Sequence, residues 1–582
     1  MSGHFASPLP PGWPKMSVAE AHAALTAPGS PFWITTATIR GQPMRWWRNA
    51  PPSLRDVFLG GRAFGDRTFI VLDEERVSYE GFARATLALA KRLEQEGVTK
   101  GDRVAIVMRN LPEWPVSFFA CVLTGAIATP LNAWWTGEEL AYGLKDSGTT
   151  VALIDMERFD RVAPLLRTLP DLRRVFVTRA PSPPNSPQIN RFEDVVGAPN
   201  TWMDLPEGEM PDVALATDDD LSIFYTSGTT GHPKGAIQSH RGAICTIVAA
   251  QISAARPYLR RGEPLPTPDP AIQRSVLLSV PFFHTTGCHA VLIPSLTIGA
   301  KIVLQRRFEP KAAMALIERE RITSAGGVPT IAWQILEHPD RPNYDLSSLE
   351  SISYGGAPAA SELMRRLKEV FPQASAGLGW GMTETTSIFT QNGAEDYVAH
   401  PESSGPAIPV CDMKIVDAAG AELPVGEVGE LLVRGPNVVR GYWRKPEANA
   451  QTFVDGWLKT GDLARVDEEG FLYVVDRKKD MLIRGGENIY CIEVEDALYQ
   501  HPAIMDAAVV GLAHRTLGEE PAAVVTLKPG EDATEADIRA FVAEKIAAFK
   551  VPVRVAITHE PLPRNANGKI LKQQLRGYLE TQ

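Results

Sequence analysis

Hydrophobic runs alternate with helical patterns through most of the chain after Pro52. The first strand-like runs are TFIVL, RVAIVM and TVALID, and ARATLALAKRLEQEG between them carries apolar residues at helical spacing. A second series predicts the strands SVLLSVPFF, KIVLQ, ITSAGG, SISYGG and ASAGLGW and the helices AAMALIERER and SELMRRLKEVF. Strands that alternate with helices form parallel sheets covered by helices. The pattern therefore predicts an α/β fold built from layered subdomains.

The pattern changes near Met413 and again near Asp476. Short strands and turns follow Met413 (KIVDAAGAELP, GELLVRG and GFLYVVD) and predict a small β subdomain. The charge run DRKKD at 476–480 interrupts the pattern, after which AAVVGLA and AAVVTL predict further strands. We therefore expect an N-terminal extension at 1–51, a large N-terminal domain at 52–475 and a small, mobile α+β C-terminal domain at 476–582. Its hinge is expected near residues 476–480.

Two segments of the N-terminal half depart from this pattern. Residues 1–50 are rich in proline and tryptophan, with SVAEAHAAL as their only amphipathic piece, and are predicted to pack as an appendage on the larger domain. Residues 114–135 contain no charged residue and resemble a membrane span. Because Pro115, Gly125 and Pro130 interrupt that stretch, it predicts a buried helix followed by a short strand.

Composition narrows the function classes. The chain has 582 residues, too many for one compact core. Its 59 basic and 69 acidic residues give a net charge of -10, which excludes sequence-independent binding of nucleic acid through the phosphate backbone. Five scattered cysteines without ligand spacing indicate a reducing compartment, and the N-terminus lacks a secretory apolar run. We expect a cytoplasmic protein with no membrane span, and the sequence leaves monomer and homodimer open.

The strongest local motif is YTSGTTGHPKGA at 225–236. Glycines let backbone N–H groups turn toward an anion, four hydroxyls can donate to phosphate oxygens, and a lysine supplies positive charge. The motif is not a Walker A loop, because Pro233 stands where that loop has glycine before its lysine. A surface linker is the alternative for the motif taken alone.

Seven motifs together resemble the adenylate-forming superfamily, which includes acyl-CoA synthetases, 4-coumarate-CoA ligases, firefly luciferases and peptide-synthetase adenylation domains. TSGTTGHPKG resembles that family's signature, and six more motifs occur in the family's order: PFFHTTG (281–287), YGGAP (354–358), GWGMTET (379–385), TGD (460–462), DRKKDMLIRGGENI (476–489) and NANGKI (565–570). The resemblance extends from about Pro52 to the C-terminus. It is closest to the acyl-CoA synthetase type and implies an adenylation domain at 52–475, with ATP, Mg²⁺ and coenzyme A as reactants or cofactors.

The resemblance implies a nucleotide site. Thr383 would reach the α-phosphate, Glu384 would bind Mg²⁺, and Asp462 would accept the ribose hydroxyls with Arg477 beside it. One carboxylate suffices, because Mg²⁺ prefers phosphate oxygens and water to an all-protein cage. The remaining residues implied for ATP are Thr226, Ser227, Gly228, Thr229, Thr230 and Lys234 at the phosphates, and Gly356, Ala357, Pro358 and Trp380 at the adenine.

Lys569 resembles the family's catalytic lysine. In the first half-reaction the acid's carboxylate attacks the α-phosphate and pyrophosphate leaves, and an ammonium can stabilise the charge that accumulates. For the second half-reaction, the resemblance implies that a thiol would reach the acyl-adenylate after the C-terminal domain has rotated, with Lys479 as the hinge residue. The residues implied for the pantetheine tunnel are Arg484, Gly485, Gly486, Glu487 and Asn488.

The resemblance also locates the acyl pocket, near His284, Trp333, Tyr354 and Gly381. These segments offer no obvious fixed basic residue, which favours an apolar acid, fatty or aryl. PFFHTTGCHAV has no aspartate for an α-ammonium, so an amino acid substrate is disfavoured. His284 would gate the pocket, whereas Trp333 has an alternative role as a core residue.

The sequence therefore predicts an AMP-forming acid–CoA ligase that acts through an acyl-adenylate. The alternative is an adenylating enzyme that transfers the acyl group to a non-CoA acceptor, such as an amine or a carrier protein. A non-catalytic nucleotide-binding protein would be expected to lack Lys569 or Glu384, and both are present. A hydrolase is unsupported because the chain has no GxSxG.

Overall fold

The fold is taken from a computed structural model that describes residues 9–181, 186–226, 232–267, 269–356, 361–485, 487–565 and 568–581. It is α/β, with a large N-terminal domain and a small C-terminal domain, as the sequence predicts. Two large sheets form the N-terminal domain, a smaller antiparallel sheet adjoins them, and a further sheet forms the C-terminal domain.

The first large sheet is parallel except at one edge, where two strands form an antiparallel pair. RVAIVM and TVALID form parallel strands, as expected, and lie side by side in the centre of this sheet. In spatial order its strands are Lys234–Ser239, Asp220–Thr226, Ile127–Pro130, Arg103–Val107, Val151–Asp155, Arg174–Thr178 and Ile189–Arg191.

The second large sheet has a parallel centre and one antiparallel pair at each edge. TFIVL forms a strand as predicted, but it belongs to this sheet and not to the first set, because Thr68–Leu72 pairs with Lys301–Leu304. In spatial order the strands are Ser387–Gly393, Ser375–Met382, Ser351–Gly355, Ser324–Gly327, Ser275–Leu278, Lys301–Leu304, Thr68–Leu72 and Glu75–Ser78.

Helices cover both sheets, and Glu113–Thr124 is buried along its whole length. This helix is followed by the Ile127–Pro130 strand, which confirms the interpretation of residues 114–135. In the described part of the chain, no helix combines the length and apolarity needed to cross a bilayer. The other α-helices of this domain are Leu54–Arg62, Tyr79–Gln95, Gly137–Ser147, Met156–Val162, Glu193–Val196, His240–Arg261, Ile293–Ile298, Pro310–Glu320, Pro329–Leu336, Ser361–Val370, Ala394–Ala399 and Pro446–Thr452.

Two smaller sheets follow along the chain. The predicted β subdomain contains the strands Gly405–Pro406, Asp412–Val416, Gly429–Arg434, Phe453–Val454, Trp457–Val466 and Phe471–Arg477. The C-terminal sheet contains Leu482–Arg484, Glu487–Ile489, Ile504–His514, Gly518–Leu527 and Arg554–Thr558. The helices that accompany it are Cys491–Tyr499, Glu535–Ala543 and Lys572–Thr581.

The N-terminal extension packs on the large domain but contains more structure than the single amphipathic piece expected from the sequence. Besides the Val18–Thr26 helix it forms a hairpin of Ile34–Ile39 and Gln42–Trp47. Arg40 at the hairpin turn donates hydrogen bonds to the carbonyl oxygens of Gly435, Val438 and Val439 at 3.0, 2.6 and 3.1 Å. The extension is thus bound to the small β subdomain.

Candidate functional site

The candidate phosphate loop connects the antiparallel strands Asp220–Thr226 and Lys234–Ser239. Thr226 and Lys234 face each other across this pair, and both line the large cavity of the molecule. Ser227, Gly228, Thr229 and Thr230 lie outside the described residues. The strand pair therefore brings the two described ends of the motif to the cavity wall.

Glu384 lies in a 3₁₀ turn, Thr383–Thr385, between two paired strands of the second sheet. Its carboxylate is buried and accepts a hydrogen bond from the hydroxyl of Tyr442 at 2.7 Å. Burial raises the pKa of Glu384, and the Tyr442 hydroxyl and the Lys234 ammonium oppose this shift. A carboxylate held beside the phosphate-loop lysine has the donor chemistry that Mg²⁺ needs alongside phosphate oxygens.

Tyr442 and Gln238 support this turn, and sequence reasoning missed both. The Lys234 ammonium lies 4.9 Å from the centre of the Tyr442 ring, so one phenol contacts the lysine and the carboxylate. The side-chain amide of Gln238 donates to the carbonyl of Thr383 at 3.1 Å. Gln238 lies two residues beyond the phosphate-loop motif, in the strand that begins at Lys234. No local signal in the sequence marks Tyr442.

Asp462 lies on the Trp457–Val466 strand, directly opposite Arg477 of the next strand. The Arg477 Nε is 3.7 Å from one carboxylate oxygen, and the Trp380 indole N–H donates to the other at 2.9 Å. Burial raises the pKa of Asp462, with Arg477 acting in the opposite direction. Trp380, expected beside the adenine, thus also fixes the carboxylate that is the candidate ribose acceptor.

The glycines assigned to the site fall at strand ends. Gly356 follows the Ser351–Gly355 strand and is exposed, whereas Ala357 and Pro358 lie outside the described residues. Gly381 lines the cavity, and a Cβ there would come within 1.7 Å of the Ser387 carbonyl oxygen. A side chain at Gly381 would therefore push apart the strands that carry Glu384.

Lys569 lies in a tight turn of the C-terminal domain that faces the nucleotide residues. Its backbone N–H donates to the side chain of Asn565 at 3.0 Å, and Gly568 before it has a φ of +76°, which favours glycine. Burial and then Arg477 lower the pKa of Lys569 to about 7, with Asp480 and Asp462 acting against the shift. Lys569 therefore lies close enough to Arg477 and Asp462 to interact with them electrostatically, and all three line the same cavity.

The predicted tunnel residues do not join this cluster. Gly485, Glu487 and Asn488 are exposed on a hairpin of the C-terminal domain, and none of them lines the cavity. Arg484 pairs with Glu520 at 2.8 Å within the same domain, and Gly486 is outside the described residues. The predicted hinge residue Lys479 does line the cavity, in the turn after the last strand of the small β subdomain.

The residues predicted for the acyl pocket differ in how far they are exposed to the cavity. His284 is half-buried on the cavity wall, its Nδ1 accepts from the Thr286 N–H at 3.3 Å, and burial lowers its pKa to about 4. The imidazole is therefore neutral at pH 7. Tyr354 also reaches the cavity but is 4% exposed, and its hydroxyl shares a 2.8 Å hydrogen bond with that of Tyr397.

Trp333 reaches the cavity but faces the other domain. Its ring lies parallel to the Tyr499 ring, with an angle of 6° and centroids 6.3 Å apart. This geometry is that of an offset stack. The tryptophan therefore lies at the domain interface as well as on the cavity wall.

One face of three adjacent strands consists entirely of serine and glycine, which sequence reasoning missed. Side chains alternate between the faces of a strand, and the register aligns these positions across the sheet. Ser353 is exposed although its strand is central, whereas Ile352 and Tyr354 beside it are buried. The positions on this face are Ser324, Gly326, Ser351, Ser353, Gly355, Ser375, Gly377 and Gly379, and all but Ser375 line the cavity.

The cavity, of about 2040 Å³, continues from the nucleotide residues along this face. The cavity lining also includes the apolar residues Ala250, Val291, Pro294 and Ile298. At the far end, where the strands begin, lies Arg274, paired with Glu350 at 3.2 Å. The sequence offered no basic residue for the pocket, and the structure has this one at its far end.

Comparison with known proteins extends over nearly the whole chain. The family model for the AMP-binding enzymes matches residues 60–443, and that for the AMP-binding enzyme C-terminal domain matches residues 493–569. Feruloyl-CoA synthase from Amycolatopsis sp is 34% identical over 503 residues, which cover 86% of this chain and 93% of that protein. Long-chain-fatty-acid–CoA ligase from Bacillus subtilis (strain 168) is 33% identical over 533 residues, 88% of this chain and 92% of that protein.

A solved structure has a similar fold over most of the chain. The anthranilate CoA ligase AuaEII in complex with anthranoyl-AMP is 28% identical and has a TM-score of 0.80. The match covers 90% of this chain and 97% of that one.

Proposed function

The chain belongs to the AMP-binding enzymes and is an AMP-forming acid–CoA ligase, and we propose that its acid is apolar and has an extended tail. ATP, Mg²⁺ and coenzyme A are its reactants and cofactor. The observation that carries the proposal is the serine and glycine face. It leaves an open channel where bulky side chains would otherwise fill the space beside a central strand.

The dimensions of this channel favour an extended tail over a single ring. The Ser351–Gly355 strand has five residues and spans about 16 Å at roughly 3.3 Å per residue. The channel runs beside it from Gly355 to Ser351 and on to Arg274. An aryl acid would occupy only the end near His284, whereas a medium- or long-chain acyl tail would occupy its length.

The nucleotide roles are part of the same proposal. Lys234 and Thr226 would bind ATP phosphates, Glu384 would hold Mg²⁺, and Asp462 with Arg477 would bind the ribose. When bound, Mg²⁺ would neutralise phosphate charge. Lys569 would stabilise the negative charge that accumulates as the acid's carboxylate displaces pyrophosphate.

A pyrophosphate-release panel tests the substrate class. Straight-chain acids of increasing length and single-ring aryl acids are compared, each with coenzyme A present and omitted. We expect kcat/KM to rise with chain length and sustained turnover to require coenzyme A as the acyl acceptor. Preference for single-ring acids would contradict the extended tail, and product formation on an amine or carrier protein alone would support the non-CoA alternative.

Ser353→Leu provides the structural control for this panel. A leucine side chain at the middle of the channel should block long acids and spare short ones, changing their kcat/KM ratio by roughly 10-fold to 100-fold. Ser347→Leu on the surface outside the cavity is the matched variant and should leave the ratio unchanged. An unchanged ratio in Ser353→Leu would mean that the tail does not occupy this channel.

A further inference from the structure

A chain of contacts joins the domain interface to the turn that carries Lys569. It begins at Trp333 of the Pro329–Leu336 helix, whose ring stacks on Tyr499 of the C-terminal domain. The Tyr499 hydroxyl donates to one oxygen of Asp506 at 2.7 Å. The other oxygen of Asp506 accepts from Arg564 at 2.6 Å.

Arg564 connects this chain to the turn itself. Its second guanidinium nitrogen donates to the carbonyl oxygen of Gly568, the residue before Lys569, at 2.5 Å. The backbone of Arg564 also bridges that of Ile570 on the other side of the turn. A planar guanidinium that binds a carboxylate and a carbonyl at once restricts both.

The same helix of the large domain contacts the turn a second time. A Cβ on Gly568 would lie 2.6 Å from a methyl group of Val328, the residue that precedes the helix. The helix therefore meets the C-terminal domain at its start, near Gly568, and farther along, at Tyr499. Both contacts depend on how the two domains are oriented.

We propose that Arg564 is a positioning residue for Lys569, held through Asp506 and Tyr499, and that the stack on Trp333 links this positioning to the domain orientation of the adenylation step. The inference rests on the proposed ligase function. It assigns Trp333 to the interface and not to the acyl pocket wall. In the thioester step, for which the family resemblance implies a domain rotation, the network would have no role.

Four variants separate the links of this network. Arg564→Gln removes the bond to Gly568, and Arg564→Lys keeps a charge but not the planar pair of donors. Tyr499→Phe keeps the stack and loses the hydroxyl, whereas Trp333→Leu loses the stack. Arg539→Gln is the matched control, because Arg539 donates to the Pro552 carbonyl in the same domain, away from the cavity.

Two half-reactions are measured for each variant: pyrophosphate release from ATP and acid, and thioester formation from synthetic acyl-AMP and coenzyme A. We expect Arg564→Gln to slow the first by about 100-fold, the cost of a misplaced catalytic group, with partial rescue in Arg564→Lys. Tyr499→Phe should slow it roughly tenfold, since the lost bond ends on a carboxylate. Thioester formation should stay within about twofold of the unmodified enzyme, because this step does not use Lys569.

The acid panel distinguishes the two roles of Trp333. An interface role predicts that Trp333→Leu slows adenylation of every acid by the same factor and spares thioester formation. A changed rank order of acids would instead assign it to the pocket. Equal losses in both half-reactions, or no loss in the Arg564 and Tyr499 variants, would overturn the positioning role.

A measurement without acid keeps this test independent of the proposed substrate. The reactivity of Lys569 toward an amine-specific label is followed against pH by mass spectrometry in the full-length protein. We expect a midpoint near pH 7 for the unmodified chain, with Arg564→Gln and Tyr499→Phe shifted upward toward the ordinary lysine value of about 10.4. Unshifted midpoints in both variants would refute the proposal even if no acid in the panel were a substrate.

Discussion

The hydroxyl of Tyr442 donates to the Glu384 carboxylate at 2.7 Å, while the ring of the same tyrosine lies 4.9 Å from the Lys234 ammonium. The candidate metal ligand and the candidate phosphate-binding lysine are therefore held by one side chain. That side chain comes from the segment between the Gly429–Arg434 strand and the Pro446–Thr452 helix. A change at Tyr442 should accordingly affect both groups.

Tyr442→Phe should weaken the response to Mg²⁺ while leaving the fold intact. The partner of a metal-ligating carboxylate orients it, and losing such a partner costs about 10–100-fold in metal affinity or activity. We expect the Mg²⁺ concentration for half-maximal pyrophosphate release to rise by that factor, with near-normal rates at saturation. Glu384→Gln is the reference, and its activity should not recover at any Mg²⁺ concentration. An unchanged Mg²⁺ response in both variants would remove Glu384 from the metal site.

Asp462→Ala should weaken ATP binding without changing the affinity for the acid. Hydrogen bonds to charged groups contribute about 1.5–3 kcal/mol each, so calorimetry should show a rise in the Kd for ATP of roughly 10–100-fold. Trp380→Phe, which keeps an aromatic ring but loses the indole N–H, should have a smaller effect on the same Kd. Equal ATP affinity in Asp462→Ala and the unmodified protein would rule out the ribose role.

The rate of adenylation should fall as pH rises through about 7. Burial and Arg477 lower the pKa of Lys569 to about 7, so the ammonium predominates below that pH and is lost above it. Because kcat/KM reports the free enzyme, its pH profile for pyrophosphate release should show this loss. In Lys569→Arg the cation persists beyond about pH 12, so the fall should disappear, although the rate is lower throughout. The same alkaline fall in both proteins would assign it to another group.

Lys569→Ala should separate the two half-reactions. We expect adenylation to fall by about 10²–10³-fold, the scale of losing one charge-stabilising group in an active site. Thioester formation from synthetic acyl-AMP and coenzyme A should be substantially retained, because the role proposed for the lysine is confined to the step in which pyrophosphate leaves. Equal loss in both assays would contradict the proposal that only the first half-reaction uses Lys569.

The positions of strands and helices could be predicted because hydrophobic periodicity is a local property. The sheet to which a strand belongs could not be predicted, as Thr68–Leu72 shows. Its pattern is that of any buried strand, whereas its partner, Lys301–Leu304, lies far along the chain. Pairing depends on tertiary structure that no short window of sequence contains.

The residues of the candidate nucleotide site could be nominated from the sequence because they lie in motifs, whereas the serine and glycine face of the cavity could not. The alternation that places Ser351 and Ser353 on one face is visible in the sequence, but it does not show whether that face meets side chains or a cavity. The stacking of Trp333 on Tyr499 of the other domain could not be predicted for the same reason. An apolar helix face has the same pattern whether its own domain or another domain covers it.

The hairpin of the N-terminal extension has a consequence for engineering. Arg40 occupies three carbonyl oxygens between Gly435 and Val439, and the Val439 N–H donates to the Glu384 carbonyl at 2.9 Å. A shortened chain that starts at Pro52, or a chimera that exchanges the small β subdomain alone, would separate these partners. Recombination boundaries should keep residues 9–51 with residues 405–477, and a chimera that respects this pairing should have a higher melting temperature than one that breaks it.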